Sequence, residues 1–178
     1  MAEFINTIDA LGDDAVTDSI IQRTIVEFKD NVLNTVGKYA FYNCKKLVNV
    51  EMPMAKSIEQ SAFDGCSALG SVYFPALTSF TTYAFRGCSA LPRADFPSLT
   101  TIGQYAFHYC SSLEKLILRK EAVCTLYGAA FNESAIAKGI GYVYVPKSLV
   151  AAYKEATNWS AVADQIRAIE DYPEITGG

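Results

Sequence analysis

A chain of 178 residues, 51% hydrophobic and 19% charged, has the composition of one globular domain and not of a disordered chain. Its net charge of −4 and the lack of any basic block argue against nucleic acid or an anionic membrane as partner. No apolar run approaches the roughly 18 residues of a membrane span.

In chain order, the opening stretch "MAEFINTIDALGDD" has no basic start and no long apolar run, so it does not read as a secretory signal. Asp13 and Asp14 stand where carboxylates would cap a helix. Ile25 and Phe28, in "RTIVEFKD", fall 22 residues before Leu47 and Val50. Residues 1–32 are therefore expected to form an N-terminal cap and a degenerate first repeat.

From residue 33 to 146 one unit recurs. Ala-Phe occurs at 40–41, 62–63, 84–85 and 106–107; Cys44, Cys66, Cys88 and Cys110 follow, then Leu47, Leu69, Leu91 and Leu113, all at a step of 22. Val50, Val72, Ala94 and Leu116 continue the series, and Met52, Phe74, Phe96 and Leu118 lie two residues further on. A period in the twenties carried by apolar positions marks a solenoid, because each coil can bury its apolar side only against its neighbours. In "LGSVYFP" the alternation of Val72 and Phe74 predicts a short strand, ended by Pro75. "ALTSF" is expected to turn the chain, and "TTYAFRGC" to make one helical or 3₁₀ turn burying Ala84, Phe85 and Cys88. Stacking then gives a parallel sheet with like residues about 4.8 Å apart. Five or six coils are expected in one domain spanning 1–178.

The last repeat is irregular. Ala130-Phe131 comes 24 residues after its predecessor and Ser134 replaces the cysteine. "YVYVP" (142–146) reads as a late strand. Residues 147–178 leave the repeat, and the helical spacing of Leu149, Val150, Tyr153, Trp159, Val162, Ala163 and Ile166 predicts two short helices divided near Asn158. Such a cap is needed to cover the core of the final coil.

The pattern A-F-x-x-C-x-x-L-x-x-V-x-F-P resembles the BspA-like (Treponema-type) leucine-rich repeats, and the segment from Tyr142 to Glu170 is similar to the helical cap behind them. The resemblance covers about residues 20–172. It implies a right-handed leucine-rich-repeat solenoid of the α/β class, with a parallel β-sheet on one face, short helical or 3₁₀ turns and a helical C-terminal cap. It also implies a bacterial protein that recognises other proteins or glycans, as adhesion-type members do. Some short members accompany prophage genes. Bacterial surface, virion and cytoplasm all stay open as locations.

Chemistry is sparse. The four periodic cysteines share the inward register of Phe and Leu, so they read as a buried thiol ladder. The off-register Cys124 is also expected to be a reduced thiol. Zinc would need converging ligands, usually in C-x₂-C pairs, and the nearest cysteine pair is Cys110 and Cys124. Laddered side chains point the same way, which disfavours disulfides. His108, the one histidine, occupies a slot filled elsewhere by Tyr42, Asp64 and Arg86. A Cys110–His108 dyad would need an exposed thiol of depressed pKa, which a core register does not offer. No phosphate loop or nucleophile elbow occurs. The expectation is a protein that is not an enzyme and uses no cofactor or metal.

The outward positions of the strands form two columns: Asn49, Ser71, Arg93, Lys115, and Glu51, Tyr73, Asp95, Ile117. Unlike the core columns they vary in type. Tyr73, Arg93, Asp95 and Lys115 are the candidate partner-binding residues, for a protein or glycan. A second aromatic set, Tyr39, Tyr42, Tyr83, Tyr105 and Tyr109, gathers near the Ala-Phe turns. The alternative reading is a structural or virion-associated component whose solenoid serves as a rigid scaffold or homo-oligomer interface.

Overall fold

A computed structural model describes residues 25–176. The proposed N-terminal helix start at Asp13 and Asp14 lies outside these residues.

Each repeat contributes three sides to a stack of coils. The first side carries the three-residue strands β1 (Glu27–Lys29), β3 (Asn49–Glu51), β5 (Ser71–Tyr73), β7 (Arg93–Asp95) and β9 (Lys115–Ile117). Pairing is parallel and keeps the repeat register: Phe28 lies beside Val50, Val50 beside Val72, and Ala94 beside Leu116. β11 (Tyr142–Val145) follows β9, with Val143 beside Leu116.

This side is two sheets, not one. β1-β3-β5 ends at β5, and a second sheet begins at β7. Pro92 explains the break. Elsewhere the residue at this place donates its N–H to the coil before, as Gly70 does to the Val48 carbonyl (2.9 Å) and Glu114 to that of Pro92 (3.0 Å). Pro92 has no N–H to give to Gly70, so the ladder lapses there.

The second side was expected to be only a turn, and is instead a five-stranded parallel sheet. Its strands are the two-residue segments β2 (Thr35–Val36), β4 (Ser57–Ile58), β6 (Ser79–Phe80), β8 (Thr101–Ile102) and β10 (Thr125–Leu126). It runs unbroken from β2 to β10. Two residues are too few to show an alternation in one coil, and only stacking makes them a sheet.

The third side holds the Ala-Phe segments. Here the expected helical turn resolves into linked turns, closed by Asp64 N–H to Ser61 O (3.2 Å) and Cys66 N–H to Phe63 O (3.2 Å). The alternate amides point to the next coil, as in Phe63 N–H to Ala84 O (2.8 Å) and Gly65 N–H to Arg86 O (2.7 Å). Left-handed residues at Ser61 (φ 54°) and Gly65 (φ 77°) keep the segment from continuing as a helix.

Inside, Phe41, Phe63, Phe85, Phe107 and Phe131 form a near-parallel stack with ring centroids 5.0, 5.3, 5.7 and 5.9 Å apart. Phe28 closes it at one end and Trp159 at the other, at 4.9 and 5.8 Å. The cap comprises a 3₁₀ turn (Lys147–Leu149), helix α1 (Val150–Glu155), a 3₁₀ segment (Trp159–Gln165), strand β12 (Ile166–Ala168), a 3₁₀ turn (Ile169–Asp171) and helix α2 (Pro173–Thr176). Asn158, left-handed at φ 65°, separates the two helical pieces. β12 pairs with β11 and so finishes the sheet.

Candidate functional site

The surface in question is the outer face of the three-residue strands. Alternation turns the middle residue of each strand toward the core, with Val72 of β5 only half-buried there, and turns its two neighbours outward on every strand but β9. Tyr73 on β5 is 56% exposed, the most open of the candidate residues. Arg93 and Asp95 lie on β7 and Lys115 on β9, all half-buried. Arg93 and Lys115 are register partners on neighbouring strands. The Pro92 break falls between Tyr73 and the other three.

Asp95 is the hub. Arg93 reaches it across its own strand, Nη2 to Oδ2 at 3.1 Å. Arg119 grips the same carboxylate with Nε to Oδ1 at 3.0 Å and Nη2 to Oδ2 at 2.7 Å. The Arg119 Nη2 also donates to the Ile175 carbonyl at 2.8 Å. A forked pair of this kind fixes both side chains. Arg119 was not singled out from the sequence, although it continues the outward alternation two residues after Ile117. At the other end of the face, Lys29 bonds Glu51 at 2.8 Å, and Asn49 Nδ2 donates to the same carboxylate at 3.0 Å. The Lys29 ammonium, then the Asn49 amide, hold the Glu51 carboxyl below its ordinary range.

One expected outward residue is not outside. Ile117 has no exposed surface. The C-terminal segment folds over it, and Ile117 packs with Tyr144, Ile169 and Ile175, with Tyr142 and Tyr172 at the margin. The face is thus open over β3, β5 and β7, while on β9 and β11 the chain itself covers Ile117 and Tyr144 and leaves Lys115 half-exposed.

The turn side gathers its aromatics in pairs. Tyr83 stacks on Tyr105 at 5.3 Å, His108 on Tyr109 at 4.0 Å, and Tyr39 meets Tyr42 edge-on at 5.8 Å. The repeated slot of Asp64 and Arg86 forms an ion pair, Nε to Oδ1 at 2.8 Å and Nη2 to Oδ2 at 2.7 Å. Arg86 also lies over the Tyr83 ring at 4.6 Å. Burial, then the Arg86 charge, lowers the pKa of His108 and favours its neutral form.

The five cysteines are free and buried. Three thiols donate inward to carbonyls of the preceding coil: Cys66 to Phe41 (3.0 Å), Cys88 to Phe63 (3.3 Å) and Cys110 to Phe85 (3.1 Å). Burial pushes Cys44 and Cys124 up to about 12, and the others also rise. Cys110 is therefore held as a thiol within the core, while His108 stacks on Tyr109. No group of three or more potential metal ligands occurs among the described residues. None of their helices is long and apolar enough to cross a membrane.

Comparison with known proteins agrees with this geometry. A leucine-rich repeat protein of T. pallidum is 30% identical over 67% of this chain, with a TM-score of 0.52. A leucine-rich cell surface protein of Faecalibacterium prausnitzii is 21% identical over 75% of this chain, with a TM-score of 0.58. A leucine-rich repeat protein from Eubacterium ventriosum is 23% identical over 69% of this chain, with a TM-score of 0.57. The chain spans 51%, 42% and 32% of the lengths of these three structures. Among curated proteins no sequence matches. The pattern described as the BspA type leucine rich repeat region matches in six copies over residues 4–156. With its repeat register, its parallel sheets and these relatives, the chain belongs to the BspA-type leucine-rich repeat family.

Proposed function

We propose that this protein is a non-catalytic recognition module that binds a partner protein on the open sheet face over β3, β5 and β7. Tyr73 supplies apolar area and a hydroxyl, a combination enriched at interfaces. Arg93 and Asp95 flank it with opposite charges, and Lys115 extends the patch. Mixed charge suits a polypeptide better than a polyanion.

The observation that carries this reading is the fate of Ile117. The outward column containing Glu51, Tyr73 and Asp95 continues into a residue fully buried beneath Ile169 and Ile175. The same face therefore already packs a polypeptide segment at one end. A rigid array of strands offers the same kind of platform where it is open.

The test is capture from host or bacterial extract, followed by titration of the purified partner against the parent and the double variant Tyr73→Ala, Arg93→Ala. The double variant should lose binding while its melting temperature stays near that of the parent. Equal binding by both proteins would make the sheet face an ordinary solvated surface and shift attention to the tyrosines of the turn side.

A further inference from the structure

A second surface feature, a concavity, lies at the seam between the last coil and the cap. A cleft of about 370 Å³ opens between β10 and the chain just after α1, lined by 123–127 and 156–159. A smaller one of about 170 Å³ adjoins it and shares Leu126, Tyr127 and Asn158 with it. The larger volume lies at the low end of the roughly 300–1,000 Å³ typical of ligand clefts.

Its chemistry is specific in what it holds. Neither lining includes a Lys, Arg, Asp, Glu or His. A charged ligand would find no opposite charge there, and desolvating it would be costly. What the lining offers is one large aromatic surface among hydroxyls and amides. Tyr127 is 55% exposed, a large ring left in water beside a concavity. Thr125, Thr157 and Asn158 surround it, all exposed, with Asn132 in the adjoining hollow.

The floor is fixed. Asn158 Nδ2 donates to the Leu126 carbonyl at 2.7 Å, and the indole N–H of Trp159 to that of Cys124 at 2.6 Å. The first of these bonds leaves the Asn158 Oδ1 as an acceptor with no donor among the described residues. A preorganised, uncharged cleft with an aromatic wall and short polar groups matches a ring with one apolar CH face and hydroxyls around its edge.

We propose that this cleft binds a neutral sugar, free or at the end of a chain, stacked on Tyr127 and held at its hydroxyls by Asn132, Thr125 and Thr157. The site is separate from the sheet face, so each stands or falls alone.

The only tryptophan of the chain, Trp159, lies buried directly beneath the cleft and serves as a fluorescent probe of it. The experiment titrates the full chain with glucose, galactose, mannose, N-acetylglucosamine and their methyl glycosides, with N-acetylneuraminic acid and a blocked neutral dipeptide as controls. Trp159 fluorescence and the side-chain amide resonances of Asn132 and Asn158 are followed. At least one neutral sugar should shift both signals saturably, and the sialic acid should not. Binding of its methyl glycoside as well would identify the sugar as a chain end; binding of the free sugar alone would identify a monosaccharide. Tyr127→Ala should weaken binding about tenfold or more, and Asn132→Ala should weaken it less. The sheet-face variant Arg93→Ala should bind like the parent. The proposal is overturned if no neutral sugar moves these signals, if Tyr127→Ala binds equally well, or if the dipeptide binds in place of the sugars.

Discussion

The phenylalanine stack shows what a single repeat position does. Phe85 is fully buried between Phe63 and Phe107, nearly parallel to both. Phe85→Ala should cost about 3–5 kcal/mol, because neighbours fixed by their own coils cannot close the gap. Tyr73→Ala, on the open face, should fall within about 0.5 kcal/mol of the parent. Urea unfolding of both variants checks the contrast. The thiols and Tyr153 give a second expectation. Burial lifts Tyr153 to about 12, as it does Cys44 and Cys124, above their unfolded values. These groups keep their protons longer in the folded chain than in the unfolded one. Their contribution to stability is therefore intact below pH about 8.5, where unfolded thiols begin to ionise, and declines as the pH rises toward 12. Unfolding midpoints should drop between pH 7 and pH 10.5, and native thiols should resist alkylation at pH 8 while all five react in denaturant. A midpoint that rises with pH would contradict the buried ladder.

Elements of the cap complete the solenoid by imitating a further coil. Within the second sheet, each coil donates amides to the one before: Thr100 N–H to Thr78 O at 2.8 Å, and Tyr127 N–H to Ile102 O at 3.0 Å. After β10 no coil follows, and side chains take over. Trp159 serves the Cys124 carbonyl and Asn158 that of Leu126, while the Tyr153 hydroxyl accepts the Cys124 N–H at 2.9 Å. Trp159→Phe keeps one aromatic ring but removes the rest of the indole with its N–H, leaving a buried carbonyl unpaired at a cost of about 1–3 kcal/mol on top of the cavity it opens, measurable by denaturant unfolding. Removing the chain from Lys147 onward goes further. It strips Tyr153 and Trp159 from the core and β12 from β11, whose edge is then open to other chains. That truncation should aggregate on size-exclusion chromatography; a soluble monomer with the parent melting temperature would contradict the capping role. The helical spacing of Tyr153, Trp159 and Val162 made this cap legible in the sequence. The second sheet was not legible, since its two-residue strands exist only through stacking. The Pro92 break was readable in principle, but only once the place of its missing amide in the ladder was known.

For the whole molecule, the repeat period determined most of the architecture. A step of 22 residues put Phe28, Val50 and Val72 in line before any contact was known, and the pairing follows that register. What the period does not carry is the path of the chain once it leaves the repeat. Ile117 occupies an outward place, yet the segment from Ile169 to Thr176 returns to cover it. Arg119 then ties that segment to Asp95. These contacts join residues more than fifty positions apart and leave no periodic trace. They also narrow the candidate site to the coils ahead of the covered end. Recognition on this open face, as proposed, is tested most directly by hydrogen–deuterium exchange of the protein alone and with its captured partner. Binding on the sheet face should slow exchange in β3, β5 and β7, at 49–51, 71–73 and 93–95, and leave the turn segments around Tyr83, Tyr105 and Tyr109 unchanged. Protection confined to those turn segments, with no change in the three strands, would contradict the account.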